Sequence, residues 1–375
     1  LTTEIQQSPV KVEPNGQSPD TLQSLKTFLR DNQAQFKSPS QEAALTAALS
    51  RQNDLFVRLP TGSGKSLIYQ LPAFMERNQG LVSIILSPLR ALIEDQVQSI
   101  NTIWPNMACK INSELLSSSI SPSPLLYIHY NDYYDNSPAS KVIEKLIASD
   151  KLARIVFDEA QTIILWDDFT TFKQTLPLIR TSAFPLIFLS GSASPVIIDK
   201  CMELFSLPRP RIIYDAAPRK NLRYTVTQTD IQAFRKIEYH DRMIVFVSQK
   251  SFIDSIANQV QQSGNLQDVQ IAKYHGGMSA EDKDANQKKW IETDGCVMIA
   301  TLAFALGIDF PNVRYVYVLG TAYGLDNLIQ MFGRAGRDGK ISECFYYFSN
   351  HDKITSSSRE RRLLSIVQEN IQCVR

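Results

Sequence analysis

The stretch Leu59-Pro60-Thr61-Gly62-Ser63-Gly64-Lys65-Ser66 follows the apolar run Leu55-Phe56-Val57 and opens a segment of helical apolar period. Strand, glycine-rich turn and helix in that order make a phosphate-binding loop. The glycines let backbone N–H groups close on phosphate oxygens, and the positive end of the helix faces the anion. In such a loop Lys65 reaches the β- and γ-phosphates, the Ser66 hydroxyl holds Mg²⁺, and Thr61, Gly62, Ser63 and Gly64 complete the nucleotide cradle. Leu59 stands where the motif usually has its first glycine. A Gly/Ser turn with an exposed lysine would look similar by itself, so the downstream partners decide.

Two such partners are present. Ile155-Val156-Phe157-Asp158-Glu159-Ala160-Gln161 is an apolar strand that ends in two carboxylates. At the carboxyl end of a parallel strand beside the loop, Asp158 can bind Mg²⁺ and Glu159 can orient or deprotonate an attacking water. Gln330-Met331-Phe332-Gly333-Arg334-Ala335-Gly336-Arg337-Asp338-Gly339 puts two arginines three residues apart, ahead of a glycine. Arginines so placed can face one phosphate group, as an arginine finger does. Either motif alone is commonplace, as a solvated acidic turn or a basic loop. Three together are not.

The 375 residues suffice for two domains of ordinary size, and 43% hydrophobic with 21% charged residues is a globular balance. No apolar run reaches bilayer length and the N-terminus lacks a secretory pattern, so an intracellular protein without a membrane partner is expected. A net charge of +1 gives no global basic field, and a nucleic-acid site has to be a local groove. The five cysteines show no metal or disulfide spacing.

In chain order, residues 1–19 read as a flexible lead-in rich in Gln, Ser and Pro. Short apolar strands then alternate with helical segments, at Leu81–Leu86, Leu125–Ile128, Ile155–Phe157 and Leu186–Leu189. Proline-bearing breaks at Leu207–Pro210 and Ala217–Lys220 precede a second series, at Met243–Val247, Val269–Tyr274, Val297–Ala300, Val313–Leu319 and Cys344–Phe348. Alternation of this kind predicts an α/β fold, a mostly parallel sheet in each of two lobes with helices on both faces. The lobes are expected at 20–210 and 211–355, with a helix over 356–375.

These motifs and their order resemble a superfamily 2 helicase core, most closely the RecQ family. The resemblance runs over about 20–373 and includes Gln41, the loop with Leu67-Ile68-Tyr69-Gln70, Leu86–Val97, Asp158–Gln161, Ser190–Ser194, Asn221-Leu222-Arg223-Tyr224, Tyr274-His275-Gly276-Gly277, Ala300–Asp309 and the arginine block. It implies two RecA-like lobes with ATP between them and movement along single-stranded or forked DNA. It further implies that Gln41 reads the adenine edge, that Gln330, Arg334 and Arg337 contact the triphosphate, and that Gly307 and Asp309 line the same cleft. Ser87, Arg90, Ser248 and Thr301 would then face a single strand through its phosphates. A nuclear location follows from the same resemblance.

The chain departs from the family in places. Gln161 replaces a histidine, and His129-Tyr130-Asn131-Asp132 replaces a Pro-Glu pair. Trp166 keeps the spacing of an aromatic loop that senses single strands in the family, but Phe169 comes one residue early and Thr170 replaces an arginine. Sensing and simple core packing therefore both stand open for Trp166. Cys373 resembles the first ligand of the family's zinc region, whose other cysteines this chain lacks, so no complete zinc site is expected, and the chain is read as either truncated or a core-only protein in which Cys373 is a leftover thiol. Because the changes fall on the nucleic-acid side, two alternatives accompany the helicase: a binding or scaffolding protein that keeps the fold, and an RNA helicase.

Overall fold

The computed structural model describes residues 19–348 except 61, 112–122, 166–171, 173–183, 208–209, 216–218, 228–233, 239, 267–268, 306–309 and 323. The expectations for Thr61, Trp166, Gly307, Asp309 and Cys373, for the lead-in up to residue 18 and for the helix over 356–375 lie outside these residues. The main division of the chain falls between Ala216 and Ala217.

In the first unit the described residues form one parallel sheet of seven strands: β1 (Leu55–Arg58), β2 (Val82–Ser87), β3 (Ala108–Lys110), β4 (Leu125–His129), β5 (Leu152–Phe157), β6 (Leu186–Ser190) and β7 (Arg211–Tyr214). Their spatial order is β3-β4-β2-β5-β6-β1-β7. Every residue of β2 and β5 is buried, as the inner strands of a sheet covered on both faces must be. The covers are α1 (Pro19–Leu29), α2 (Pro39–Ser50), α3 (Leu67–Glu76), α4 (Arg90–Ile103), α5 (Pro138–Ala148), α6 (Gln161–Leu165) and α7 (Pro195–Leu204).

Alternation along β1 divides the core in two. Phe56 joins Phe157, Phe188 and Phe205 on one face, while Leu55 and Val57 join Leu45, Ile68 and Tyr127 on the other. The Phe157 and Phe188 rings stack with centroids 4.8 Å apart. Removing a ring of this kind costs about 3–5 kcal/mol.

The second unit holds β8 (Leu222–Thr227), β9 (Arg242–Val247), β10 (Ile271–Tyr274), β11 (Val297–Ala300), β12 (Val313–Leu319) and β13 (Ser342–Tyr347), all parallel, in the order β10-β11-β9-β12-β13-β8. Helices α8 (Ile253–Gln262), α9 (Ala280–Glu292) and α10 (Leu325–Phe332) accompany it. Trp290, fully buried, sits edge-on to Phe304 at 5.5 Å in one of the two cores.

The expected alternation is present, with three strands that the sequence pattern did not reveal: β3, β7 and β8. All three are edge strands. An edge strand is half exposed and shows no continuous apolar run, as β7 illustrates with only Ile213 buried. Because β7 pairs with β1, the first lobe extends past the expected limit at 210, and the chain passes to the second sheet between Tyr214 and Leu222. No helix among the described residues is long and apolar enough to cross a membrane.

Candidate functional site

Sheet order gathers the motifs of the first lobe. Reading across β4, β2, β5, β6 and β1, five adjacent carboxyl ends carry His129, Ser87, Asp158, Ser190 and the Leu59–Ser66 loop. In an open parallel sheet this is the edge where ligands bind.

The loop is built by its glycines and by Gln41. Gly62 and Gly64 take φ of +83° and +75°, which L side chains rarely adopt. A Cβ on Gly64 would lie 2.6 Å from the Gln41 amide nitrogen. Helix α2 starts at Pro39 with Ser38 as its cap, which places Gln41 in the first turn, 2% exposed. Its Nε2 donates to the carbonyls of Ser63 and Gly64 at 3.0 and 3.1 Å, and its Oε1 accepts from the Lys37 amide at 2.7 Å. Gln41 thus braces the cradle directly. Lys65 Nζ donates to the Leu59 carbonyl at 3.2 Å, and the Ser63 hydroxyl is buried with no hydrogen-bond partner among the described residues. An orphan donor in such a loop fits a phosphate oxygen.

Beside the loop, Ser66 Oγ accepts from Gln96 Nε2 at 3.2 Å, and Gln96 Oε1 in turn accepts from Gln70 Nε2 at 2.9 Å. Gln96 had no role in the sequence reading, since its position in α4 is remote from the loop in the chain. Asp158 and Glu159 leave β5 in a tight turn. The Asp158 amide donates to Leu86 and the Ala160 amide to Leu189, so the turn is pinned between β2 and β6, and Glu159 is held at φ +48°.

Burial first, and the neighbouring Glu159 second, push the Asp158 carboxyl up to about 7, against the pull of Lys65 and of the Glu159 amide. A divalent cation bound by Ser66, Asp158 and substrate phosphates is chemically reasonable, since Mg²⁺ usually takes only one or two protein oxygens. No group of three or more metal-ligating side chains occurs among the described residues.

Gln161 links two motifs. Its Nε2 donates to Glu159 Oε2 at 2.7 Å and its Oε1 accepts from Ser190 Oγ at 2.6 Å. The same Ser190 oxygen accepts from the amides of Ser192 and Ala193, at 3.2 and 2.9 Å. Tyr130, fully buried, donates its hydroxyl to the Asp158 carbonyl at 2.8 Å.

On the neighbouring ends lie the nucleic-acid candidates Ser87 and Arg90. Ser87 is buried, whereas Arg90 is exposed and forms a bidentate pair with Asp132.

The second lobe keeps its candidates apart. Ser248 and Thr301 follow the carboxyl ends of β9 and β11. The arginine block begins in the last turn of α10 and continues to the amino ends of β12 and β13, where the Gly336 amide donates to Val313 and the Asp338 amide to Pro311. Gln330 and Arg334 are buried there. Arg219 Nη1 donates to the Gly333 carbonyl at 3.3 Å and Asn221 Nδ2 to the carbonyls of Gly336 and Lys340 at 2.8 Å each. Arg314 Nη2 forks onto both oxygens of Asp338 at 2.7 Å. Burial, then the charge of Arg337, pulls Arg219 below its ordinary value.

Comparison with known proteins agrees with this layout. A profile described as DEAD/DEAH box helicase matches residues 38–199, and one described as helicase conserved C-terminal domain matches 226–339. RecQ-like DNA helicase BLM of Xenopus laevis is 31% identical over 352 residues, which are 88% of this chain and 25% of that protein. These matches support a RecQ-like superfamily 2 helicase.

ATP-dependent helicase SGS1 of Saccharomyces cerevisiae is also 31% identical, over 88% of this RecQ-like chain and 24% of its own length. ATP-dependent DNA helicase Q5 of Mus musculus is 29% identical, over 89% and 36%. The chain therefore spans about a quarter to a third of these curated relatives.

Among solved structures, Mss116p bound to ssRNA and AMP-PNP superimposes with a TM-score of 0.67 at 18% identity, over 87% of this chain and 72% of that one. Dbp5 of S. cerevisiae, bound to RNA and ADP BeF3, gives 0.62 at 17% identity, over 94% and 91%. At such identities these show the fold alone, a two-lobe RecA-like α/β core. A helicase domain of this type implies use of ATP.

Proposed function

We propose that this chain is the motor core of an ATP- and Mg²⁺-dependent DNA helicase that moves along single-stranded or forked DNA. The observation that carries the proposal is the placing of the Lys65 loop and the Asp158-Glu159 turn at the carboxyl ends of β1 and β5, the two strands that flank β6.

In this proposal Gly62, Ser63, Gly64 and Lys65, with Thr61, cradle the phosphates while Gln41 braces the loop and reads adenine. Ser66 and Asp158 hold Mg²⁺, which when bound neutralises developing charge on the phosphates. Glu159, steadied by Gln161, orients the attacking water. Gln330, Arg334 and Arg337 act on the triphosphate, with Gly307 and Asp309 in the same role of nucleotide contact. Ser87, Arg90, Trp166, Ser248 and Thr301 are assigned to the strand.

The names of two of these relatives, which print DNA helicase, support DNA as the substrate, and a nuclear location is part of the same proposal. The test is ATP-dependent strand displacement on a forked duplex, with RNA strands of equal length for comparison. Unwinding of DNA that needs ATP and Mg²⁺ is expected. Hydrolysis with no displacement of any fork would leave a binding protein with a helicase fold, and preference for RNA would reassign the substrate.

A further inference from the structure

We propose that Asp132 masks one edge of Arg90, so that a single-stranded phosphodiester has to displace an internal carboxylate before it forks onto that edge. The inference rests on the strand-binding role given to Arg90 above.

Arg90 opens α4 and presents its guanidinium to Asp132 as a fork: Nη1 lies 2.8 Å from Oδ2 and Nη2 lies 2.6 Å from Oδ1. Both N–H groups of that edge are used. A phosphodiester oxygen pair that forks onto this edge needs the same plane, so carboxylate and phosphate compete for it.

The carboxylate is not a drifting surface group, because the turn that carries it is fixed at three points. The Asn131 amide donates to His129 Nδ1 at 3.3 Å, which leaves Nε2 as the protonated nitrogen, 2.8 Å from the Pro88 carbonyl. Burial pulls His129 below its ordinary value, in keeping with this neutral form. Tyr130 then anchors the next residue through its bond to the Asp158 carbonyl. The turn therefore joins the Ser87–Arg90 loop to the carboxylate motif while it holds Asp132 against Arg90.

A second observation points to an anion at this loop. The Ser87 hydroxyl is 2% exposed and has no hydrogen-bond partner among the described residues. It is a buried donor without an acceptor, one turn from a helix start with no side-chain cap and no acid in its first turn. Asp132 satisfies the arginine of this loop and leaves the serine unsatisfied.

The experiment is equilibrium binding of a short labelled oligothymidylate across a salt series, for the full chain and for Asp132→Ala, Arg90→Ala and the double variant. Asp132→Asn repeats the first with the side-chain shape kept. Removing the Asp132 charge is expected to tighten binding about 3- to 10-fold and to steepen the log–log salt slope by about 0.7, one phosphate contact on a single strand. Arg90→Ala is expected to weaken binding by the wild type and, in the double variant, to abolish the whole gain that the Asp132 change brings.

Affinity that is unchanged or lower in both Asp132 variants, where the wild type binds, would overturn the masking alone. So would a gain that survives Arg90→Ala, since it would then be long-range charge. Absence of binding in every form would overturn the strand-binding role itself and the masking with it.

Discussion

Gln161 occupies a position where RecQ proteins usually carry histidine, and its two partners dictate what it does. A carboxylate only accepts, so the amide nitrogen faces Glu159 and the amide oxygen is left for the Ser190 hydroxyl. A neutral imidazole can make the same pair of bonds; a protonated one cannot accept from Ser190. Gln161→Ala should therefore lower kcat for ATP hydrolysis about 10-fold by freeing Glu159. Gln161→His should keep activity at pH 8 and lose it on acidification more steeply than the wild type, in which Asp158 titrates in this range. The pH–rate profiles of the three proteins check this.

Asp158 offers a second test at this scale. Its folded value of about 7 lies above that of an unfolded aspartate, so the folded state binds the extra proton, and the contribution to stability is lost as pH rises through 7. Asp158→Asn should raise the melting temperature of the nucleotide-free protein by a few degrees at pH 8 and by little at pH 5. Thermal unfolding at the two pH values decides it, and an equal rise at both would contradict the assigned cause.

The arginine block is an element held in shape from outside itself. Arg219 and Asn221, ahead of β8, take the carbonyls that the turn leaves over, and Arg314 of β12 holds its Asp338. Gly336, at φ +52°, has no room for a side chain: a Cβ would lie 2.6 Å from Asn221 Nδ2 and from Ser342 Oγ, and 2.8 Å from the Lys340 carbonyl. Asn221→Ala should lower kcat about 10-fold with KM for ATP nearly unchanged, because it loosens the arginines and leaves the phosphate loop intact. Gly336→Ala should do the same and also lower the melting temperature. Steady-state kinetics beside thermal unfolding separates the two effects.

At this level, what the sequence made legible follows from how local the signal is. The phosphate loop, the carboxylate turn and the inner strands β2, β5 and β9 could be read because their residues are neighbours in the chain or repeat a short period. Edge strands β7 and β8 could not, since half of each faces solvent. Nor could Asp132 opposite Arg90, Gln96 on Ser66 or Arg219 on Gly333, since each pair is joined only by the sheet order.

At the scale of the molecule, two parallel sheets of similar design are used differently. The first brings all its motifs to one edge, whereas the second has Ser248 and Thr301 at the carboxyl ends and the arginine block at the amino ends.

The most direct measurement is steady-state ATP hydrolysis with and without single-stranded DNA, for the wild type, Lys65→Ala and Glu159→Gln. The account predicts Mg²⁺-dependent hydrolysis that DNA stimulates several-fold, with a loss of about 100-fold or more in both variants, since each removes a group aimed at the developing charge or the attacking water. Hydrolysis left unchanged by Lys65→Ala would contradict it.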